Sequence, residues 1–311
     1  MGTTYSAQVA QLPDGVSRVE LQSAIDAVLE ETNRVFSTYV PDSEVSRFNA
    51  QQETSSIPVS AQLASLITSA EEIGVATDGA FDITVAPLVR AWGFGAGGAA
   101  DGPAPGPGEI AALRASVGWD KLQRVDGGRA LRKLVPTLQL DFDGIAPGYA
   151  VDGIAARFEA LGVRDYLVEI GGEVRARGQS PMDRAWRVAV EVPLAGERKP
   201  YALVELDGLA VSTSGDYRDF RIVDGRRVSH TIDPRTGAPV THGLASVCVV
   251  HPSTAHADAY ATALMVLGPE EGLATATRLG LAALFVERSA DGREFMERST
   301  PAFERLRRDV D

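Results

Sequence analysis

The residues from Leu138 to Leu161 combine two carboxylates, a glycine turn and the start of a predicted helix. Asp141 and Asp143 precede Gly144, and Pro147 suits the first helical position, where its missing N–H needs no partner. A strand, a glycine turn and a helix N-terminus direct unpaired backbone N–H groups to one place, which favours phosphate binding. The neighbouring carboxylates would repel a phosphate unless a divalent cation lay between them. The stretch therefore predicts a site for a metal and a phosphorylated ligand, although an ordinary strand–turn–helix connection explains the same pattern.

A second pair of oxygen-bearing side chains is formed by Asp258 and Thr262, four residues apart in a predicted helix. This spacing places both side chains on one helix face. Hard oxygen ligands of this kind suit Mg²⁺ or Ca²⁺ rather than zinc. Structural roles remain open, because Asp258 could interact with the helix dipole and Thr262 could bond to a backbone carbonyl.

The third candidate is His230, in a turn-rich segment with Asp233 three residues later. Histidine changes its protonation near neutral pH and is therefore a natural general base. Loops between strands often display such a group. A structural or surface histidine explains the same observation.

Other motifs have weaker support. Residues 93–98 match G-x-G-x-x-G, but a dinucleotide fingerprint needs a strand before it and a helix directly after it, and residues 100–108 are predicted not to be helical. Zinc is weakly supported by Cys248, His251 and His256, since no C-x-x-C pair accompanies them. No G-x-S-x-G motif supports a serine hydrolase.

Composition bounds the function. The 311 residues, 44% of them hydrophobic, can bury a substantial core. The net charge of -12 argues against a nucleic-acid partner but permits a small phosphorylated ligand held through a cation. The sequence has no apolar run long enough to span a membrane and begins without a signal peptide, inside a strand-like pattern. We therefore expect a targeting segment upstream.

Periodicity separates blocks of helices from blocks of strands. The predicted helices cover residues 19–36, 43–49, 60–76, 109–118, 147–161, 255–267 and 270–279. The predicted strands cover residues 5–9, 138–142, 166–170, 174–177, 186–192, 201–206, 209–214, 220–223, 244–250 and 281–286. This order favours an α+β fold, with mixed or antiparallel sheets and packed helices, over a doubly wound parallel sheet. We expect a two-lobed single unit, with residues 1–311 as one domain and a flexible Gly/Pro-rich loop at 93–108.

Eight segments, in order and spanning nearly the whole chain, resemble the ApbE family, the FAD:protein FMN transferases. They are MGTTY (1–5), STYVPDSEVSRFN (37–49), GAFDITVAPLVRAWGFG (79–95), LDFDGIAPGYAVD (140–152), EIGGEVRARG (169–178), VSTSGDY (211–217), SHTIDPRTG (229–237) and ADAYATALMVLG (257–268). No single segment is decisive, but their common order makes the resemblance specific.

The resemblance implies a T-fold-like architecture and a Mg²⁺-dependent transferase. Such an enzyme takes FAD, expels AMP and attaches FMN through a phosphoester to a Ser or Thr of a target protein. The implied partners are FAD and an acceptor protein, a subunit of a membrane electron-transfer complex. The implied location is exported, periplasmic or facing the cell envelope, as a lipid-anchored, membrane-associated lipoprotein.

The resemblance also implies roles for individual residues. The metal ligands are the backbone carbonyl of Gly144 and the side chains of Asp258 and Thr262. The catalytic base is His230. The flavin-binding positions are Met1, Tyr39, Ala80, Phe81, Asp82, Asp141, Pro147, His230, Thr231 and Ile232.

One departure from the family pattern is Pro147, where many members carry lysine. Proline brings neither a charge nor an N–H donor, so we expect a weaker or differently held pyrophosphate. Two other functions stay open: an FAD pyrophosphatase that releases FMN and AMP, and a non-catalytic FAD-binding protein.

Overall fold

The structure is a computed structural model that describes residues 2–100, 102–194, 199–216, 220–223, 225–289 and 294–308. Its helices are α1 (Arg18–Phe36), α2 (Glu44–Ala50), α3 (Ala61–Ala76), α4 (Ala86–Ala91), α5 (Pro107–Arg114), α6 (Ala146–Ala160), α7 (Thr254–Arg278) and α8 (Pro301–Glu304). Its strands are β1 (Tyr5–Val9), β2 (Ser56–Pro58), β3 (Leu122–Val125), β4 (Ala130–Lys133), β5 (Tyr166–Ile170), β6 (Glu173–Arg177), β7 (Trp186–Glu191), β8 (Pro200–Leu206), β9 (Leu209–Gly215), β10 (Phe220–Val223), β11 (Arg226–Ser229), β12 (Ile232–Asp233), β13 (Ala238–Pro239), β14 (Leu244–His251), β15 (Ala282–Arg288), β16 (Phe295–Ser299) and β17 (Arg307–Arg308).

The chain forms two compact units. The first unit comprises Met1–Glu31, Gly144–Arg218 and Gly243–Asp311, and the second comprises Thr32–Asp143 and Asp219–His242. Helices and antiparallel sheets occur together, which confirms the α+β prediction. The expectations of one domain over residues 1–311 and of a flexible loop at 93–108 stay predictions.

The first unit is built on a seven-stranded antiparallel sheet in the order β1-β5-β6-β9-β14-β15-β16. Its interior strand β14 is buried along seven of its eight residues, since both faces are covered. On one face, Cys248 and Val250 pack against Val204 and Leu206 of the three-stranded sheet β17-β8-β7. Helix α7 packs on β9 and β14, and helix α6 packs on β5 and β6.

Helix α6 follows its predicted pattern. Its apolar residues at three- and four-residue steps are buried in one cluster with residues of α1 and β5. A glycine directly after a helix predicts a left-handed stop, and the φ of 82° at Gly162 confirms it. The apolar face therefore fixes α6 against the sheet and leaves its N-terminal turn to the candidate site.

The second unit carries α2 to α5, the sheet β2-β4-β3 and the hairpins β10-β11 and β12-β13. One of its apolar clusters joins Leu88, Phe94, Val117 and Ile232. A serine at the start of a helix predicts an N-cap, and Ser43 and Ser60 have this role in α2 and α3, where their side chains accept backbone N–H bonds. The three-stranded sheet was not predicted.

The predicted strand at 138–142 is wrong. Its apolar side chains are buried, but among the described residues this segment joins no sheet. Instead, the N–H of Leu140 donates to Oδ1 of Asn49 at 2.7 Å, and Nδ2 of Asn49 donates to the carbonyl of Leu140 at 2.8 Å. The N–H of Asp141 donates to the carbonyl of Ile83 at 2.7 Å. A side-chain amide therefore replaces the strand partner that the alternation implied.

One helix boundary differs from prediction. Helix α5 begins at Pro107, inside the segment expected not to be helical, because proline fits the first helical turn. The two helices predicted at 255–267 and 270–279 are the two parts of α7, and the predicted break between them is confirmed by a kink where Gly268 adopts a non-helical φ of 78° before Pro269. None of the described helices is both long enough and apolar enough to cross a membrane.

Candidate active site

The N-terminal turn of α6 lies beside α7 in the first unit. Its N-cap residue, Ile145, makes no side-chain cap bond, and Pro147 supplies no N–H. The N–H of Gly148 donates to Oδ2 of Asp258 at 3.2 Å, in a buried bond. The backbone anion site predicted at 144–148 therefore offers fewer N–H donors than expected. The N–H of Gly148 is already bound to a carboxylate, and Pro147 has no N–H.

Gly148 allows α6 and α7 to approach closely. A Cβ at this position would lie 2.5 Å from the carbonyl oxygen of Thr254 and 2.8 Å from Cα of Ala255, which is closer than real Cβ contacts. One turn later on α6, Oδ1 of Asp152 accepts the N–H of Thr254 at 2.9 Å. The first turn of α7, from Thr254 to Asp258, therefore meets α6 at both Gly148 and Asp152.

The other two predicted metal ligands lie close by in the chain. Thr262 follows Asp258 by four residues of α7, about 6 Å along the helix axis. Gly144 lies just before α6, which begins at Ala146. Asp258 is buried and Thr262 half-buried.

Ser214 is a candidate that the sequence reasoning did not assign. Its Oγ lies 3.3 Å from Oγ1 of Thr262, with either hydroxyl able to donate. It belongs to β9, on which α7 packs. The available signal was the VSTSGDY segment, where strand alternation puts Ser214 on the face opposite Thr213.

Asp141 lies in the second unit and is held through its backbone. Its neighbour Leu140 is hydrogen-bonded to Asn49, as described above. The Oδ1 of Asp141 accepts the N–H of Asp143 at 2.8 Å. Burial raises the pKa of Asp141, which the Asp143 N–H and the Arg90 charge oppose. The charge of Asp141 in turn raises the pKa of Asp143. The two carboxylates therefore form an interacting pair that resists double ionisation.

The predicted flavin positions Ala80, Phe81 and Asp82 are all buried. Oδ1 of Asp82 accepts the N–H of Thr84 at 2.8 Å and its hydroxyl at 2.7 Å, so Asp82 caps the 3₁₀ turn that follows. Oγ1 of Thr84 accepts the N–H of Gly118 at 2.7 Å. Burial raises the pKa of Asp82 to about 6. Asp82 thus has a structural role whether or not it contacts a flavin.

His230 lies between β11 and β12 in the second unit. Its ring is half-buried and meets the ring of Phe94 edge-on, with centroids 6.3 Å apart. The following residues, Thr231 and Ile232, are buried, and the N–H of Thr231 donates to Oγ of Ser229 at 3.1 Å. Rigid neighbours on both sides therefore hold the loop that presents His230.

Asp233, three residues after His230, forms an ion pair with Arg235, whose Nε lies 3.0 Å from Oδ1. The carboxylate also accepts the N–H of Arg235 at 2.9 Å, so it stabilises the turn. Of the remaining predicted flavin positions, Tyr39 is 63% exposed, while Met1 lies outside the described residues.

The weaker motifs gain no structural support. Cys248 is buried in the apolar cluster of the first unit, as expected for a strand residue. The rings of His251 and His256 stack with centroids 5.1 Å apart. Throughout the described residues, no group of three His, Cys, Asp or Glu side chains could hold a metal ion. Residues 93–98 form turns with no strand before them, so the dinucleotide reading fails as expected.

Comparison with known proteins gives a consistent result. The sequence model of the ApbE family matches residues 1–285. The FAD:protein FMN transferase of Salmonella typhimurium is 39% identical over 300 residues, covering 94% of this chain and 83% of the relative. The FAD:protein FMN transferase of Vibrio cholerae is 39% identical over 303 residues, covering 97% and 89%.

Solved structures agree with these sequence relatives. The apo form of the Pseudomonas stutzeri flavinyl transferase ApbE matches with a TM-score of 0.89 and 45% identity, covering 98% of this chain and 94% of that one. The flavin transferase ApbE from Vibrio cholerae matches with a TM-score of 0.89 and 38% identity, covering 98% and 96%. On both sequence and fold, the chain belongs to the ApbE family.

Proposed function

We propose that this chain transfers FMN from FAD to a Ser or Thr hydroxyl of a target protein and releases AMP. The relatives named above are named for transfer of FMN from FAD to protein, which supports the transfer itself. The observation that supports it most within the chain is the bond from Gly148 to Asp258, which joins the first turn of α6 to the helix that carries Asp258 and Thr262. A shared metal and pyrophosphate site requires these two segments to be neighbours.

The proposed reaction exchanges the phosphoanhydride link of FAD for a phosphoester to the acceptor. The acceptor oxygen forms a bond to the phosphorus of the FMN half of FAD, and the bond from that phosphorus to the AMP phosphate breaks. The proton leaves the acceptor hydroxyl, and AMP departs with the bridging oxygen. Phosphoryl transfer of this kind depends on positioning and charge neutralisation more than on covalent help from the protein.

The donor set at the α6–α7 contact fits a hard divalent cation. We assign Mg²⁺ to the carbonyl of Gly144, the carboxylate of Asp258 and the hydroxyl of Thr262, which are all oxygen ligands. When bound, the cation would neutralise charge on the pyrophosphate. The protein's own contribution is to hold the buried Asp258 carboxylate through the Gly148 N–H.

His230 is the proposed base that accepts the proton of the acceptor hydroxyl. Its half-buried ring lies in a loop whose next residues are buried and bonded, so it can be presented without large motion. We assign flavin binding to the positions that the resemblance implies: Met1, Tyr39, Ala80, Phe81, Asp82, Asp141, Pro147, His230, Thr231 and Ile232.

One assay separates this proposal from its rivals. The full chain is incubated with FAD, Mg²⁺ and candidate acceptor domains, and the products are read as in-gel flavin fluorescence and free FMN. Covalent label supports transfer, free FMN without label supports a pyrophosphatase, and neither product, with FAD bound, supports a binding protein. Removal of Mg²⁺ with a chelator should abolish covalent labelling of the acceptor.

A histidine pair tests the proposed base. His230→Ala should abolish labelling while FAD binding, measured by flavin fluorescence, persists. His242→Ala changes another histidine of the second unit and should retain labelling. Full-rate labelling by His230→Ala would remove His230 from the mechanism.

We further propose an exported, lipid-anchored protein that faces the periplasm or cell envelope and acts on a subunit of a membrane electron-transfer complex. This location follows from the family resemblance alone. Fractionation of cells that express the full-length gene, followed by detection of the protein and of labelled acceptors, tests it directly.

A further inference from the structure

The first turn of α7 is held by a carboxylate that belongs to a different helix. Oδ1 of Asp152, on α6, accepts the N–H of Thr254 at 2.9 Å and its hydroxyl at 2.7 Å. Oδ2 accepts the N–H of Ala255 at 3.1 Å and the hydroxyl of Ser253 at 2.8 Å. Nη1 of Arg175, on β6, lies 3.3 Å from Oδ1. One side chain thus gathers four hydrogen bonds from α7 and its N-cap, and an ion pair from the sheet.

Helix chemistry explains why this carboxylate is needed. The first N–H groups of a helix lack partners within the helix, and its N-terminus favours negative charge. None of the residues in the first turn of α7, all of them described, is acidic. Ser253 caps only the N–H of His256, at 3.3 Å. Asp152 therefore supplies the missing anion and the missing acceptors for Thr254 and Ala255.

The arrangement is reciprocal. Asp152 on α6 binds the start of α7, while Asp258 on α7 binds Gly148 at the start of α6. Each aspartate lies four residues from the position on its own helix that the other aspartate contacts. We call this set of contacts between Asp152, Thr254, Gly148 and Asp258 the helix clasp. Its two ends fix both the translation and the rotation of α7 against α6.

We propose that Asp152 is a positioning residue for the divalent cation, acting through the helix clasp on Asp258 and Thr262. The inference rests on the magnesium site proposed above. A slip of α7 by a single residue would move each ligand 1.5 Å along the axis and turn it by about 100°. Metal coordination tolerates errors of only about 0.2 Å. Asp152 touches no proposed ligand and so acts at a distance of one helical turn.

The test uses Mn²⁺ as a probe that shares the oxygen preference of Mg²⁺. Binding of Mn²⁺ to the full chain is followed by electron paramagnetic resonance, and unfolding is followed by circular dichroism. Asp152→Asn places an amide N–H₂ against donors of the α7 turn, and it should weaken Mn²⁺ binding about tenfold or more, as outer-shell changes do. Thr254→Val keeps the side-chain volume, removes one hydroxyl donor, and should weaken binding less but in the same direction.

A matched control separates positioning from general destabilisation. Thr300→Ala removes the N-cap of α8, also in the first unit, where the Thr300 side chain bonds to Phe303, Ala283 and Leu281. It should lower stability without changing Mn²⁺ affinity. Unchanged Mn²⁺ affinity in both Asp152→Asn and Thr254→Val would overturn the role of Asp152.

Asp258→Asn shows which proposal fails. If it abolishes Mn²⁺ binding while the Asp152 and Thr254 variants bind normally, the metal site stands and the positioning role is lost. If Asp258→Asn itself binds Mn²⁺ as the natural sequence does, the magnesium site fails, and the inference built on it fails too. Weakened binding in all three variants, with the Thr300 control unaffected, supports both.

Discussion

Replacement of Gly148 by alanine should weaken the contact between α6 and α7. The added Cβ would meet the carbonyl oxygen of Thr254 at 2.5 Å, its carbonyl carbon at 2.7 Å and Cα of Ala255 at 2.8 Å. All three are backbone atoms, which cannot move aside as a flexible side chain can. Since unstrained contacts of carbon lie near 3.5 Å, the helices must separate locally by about 1 Å.

Three terms set the expected magnitude. Overpacking a well-packed contact costs about 1–3 kcal/mol. Separation also stretches the Gly148 N–H bond to the Asp258 carboxylate, and losing a bond to a charged group costs about 1.5–3 kcal/mol. Alanine returns about 1 kcal/mol through its higher helix propensity. The net loss in the free energy of unfolding should be about 1.5–5 kcal/mol.

The same helix provides the control. At Gly153 an added Cβ would meet only the methyl groups of Val28, at 3.0 and 3.9 Å. Gly153→Ala should therefore be near neutral or slightly stabilising, because a valine side chain can adjust and alanine favours the helix. Urea unfolding of the natural sequence, Gly148→Ala and Gly153→Ala measures the difference. Equal midpoints for the two variants would refute the close helix contact as the reason for Gly148.

Three further substitutions probe the proposed ligand site and the buried charges. Pro147→Lys should raise FAD affinity in equilibrium titrations, because it adds a cation at the start of α6; no rise would remove the argument that Pro147 weakens pyrophosphate binding. Burial raises the pKa of Asp82 from 3.8 to about 6. The free energy of unfolding of the natural sequence, relative to that of Asp82→Asn, should therefore be greatest below pH 3.8 and fall as the pH rises to about 6. Burial lowers the pKa of Lys133 from 10.5 to about 8, so stability relative to Lys133→Met should rise between those pH values, and a flat difference would contradict a buried ammonium.

Local patterns predicted local structure well. The periodic apolar face of α6, the glycine stop at Gly162 and the serine caps at Ser43 and Ser60 each depend on neighbours within a few residues. The order of the seven-stranded sheet depends instead on contacts between residues distant in sequence, since β9 lies between β6 and β14. Short elements such as β2 and β17 carry too few residues for a period to be visible.

The error at residues 138–142 has a specific cause. Alternating apolar residues report that one side of a segment is buried, but they do not report what satisfies its backbone. Here the satisfying group is the amide of Asn49, 91 residues away from Leu140. Asn49 is in turn fixed by Lys133, whose buried Nζ bonds to the carbonyls of Asn49 at 3.3 Å and Gln51 at 2.7 Å. Nothing in the sequence indicates that Lys133, at the end of the short strand β4, holds the backbone at Asn49.

The candidate site illustrates the same division between what spacing predicts and what packing decides. Two sets of residues recur every four positions: Gly144, Gly148 and Asp152 at the start of α6, and Thr254, Asp258 and Thr262 at the start of α7. Helical spacing alone predicts that the later members of each set share a face. It does not predict which residue of one helix contacts which residue of the other, because a shift of one helix along the other by one turn keeps the same two faces in contact. The bonds of Gly148 to Asp258 and of Thr254 to Asp152 select one arrangement of the two helices. The two aspartates of the clasp are therefore distinguished by partner rather than by residue type, since Asp258 accepts the N–H of Gly148 and Asp152 caps the start of α7.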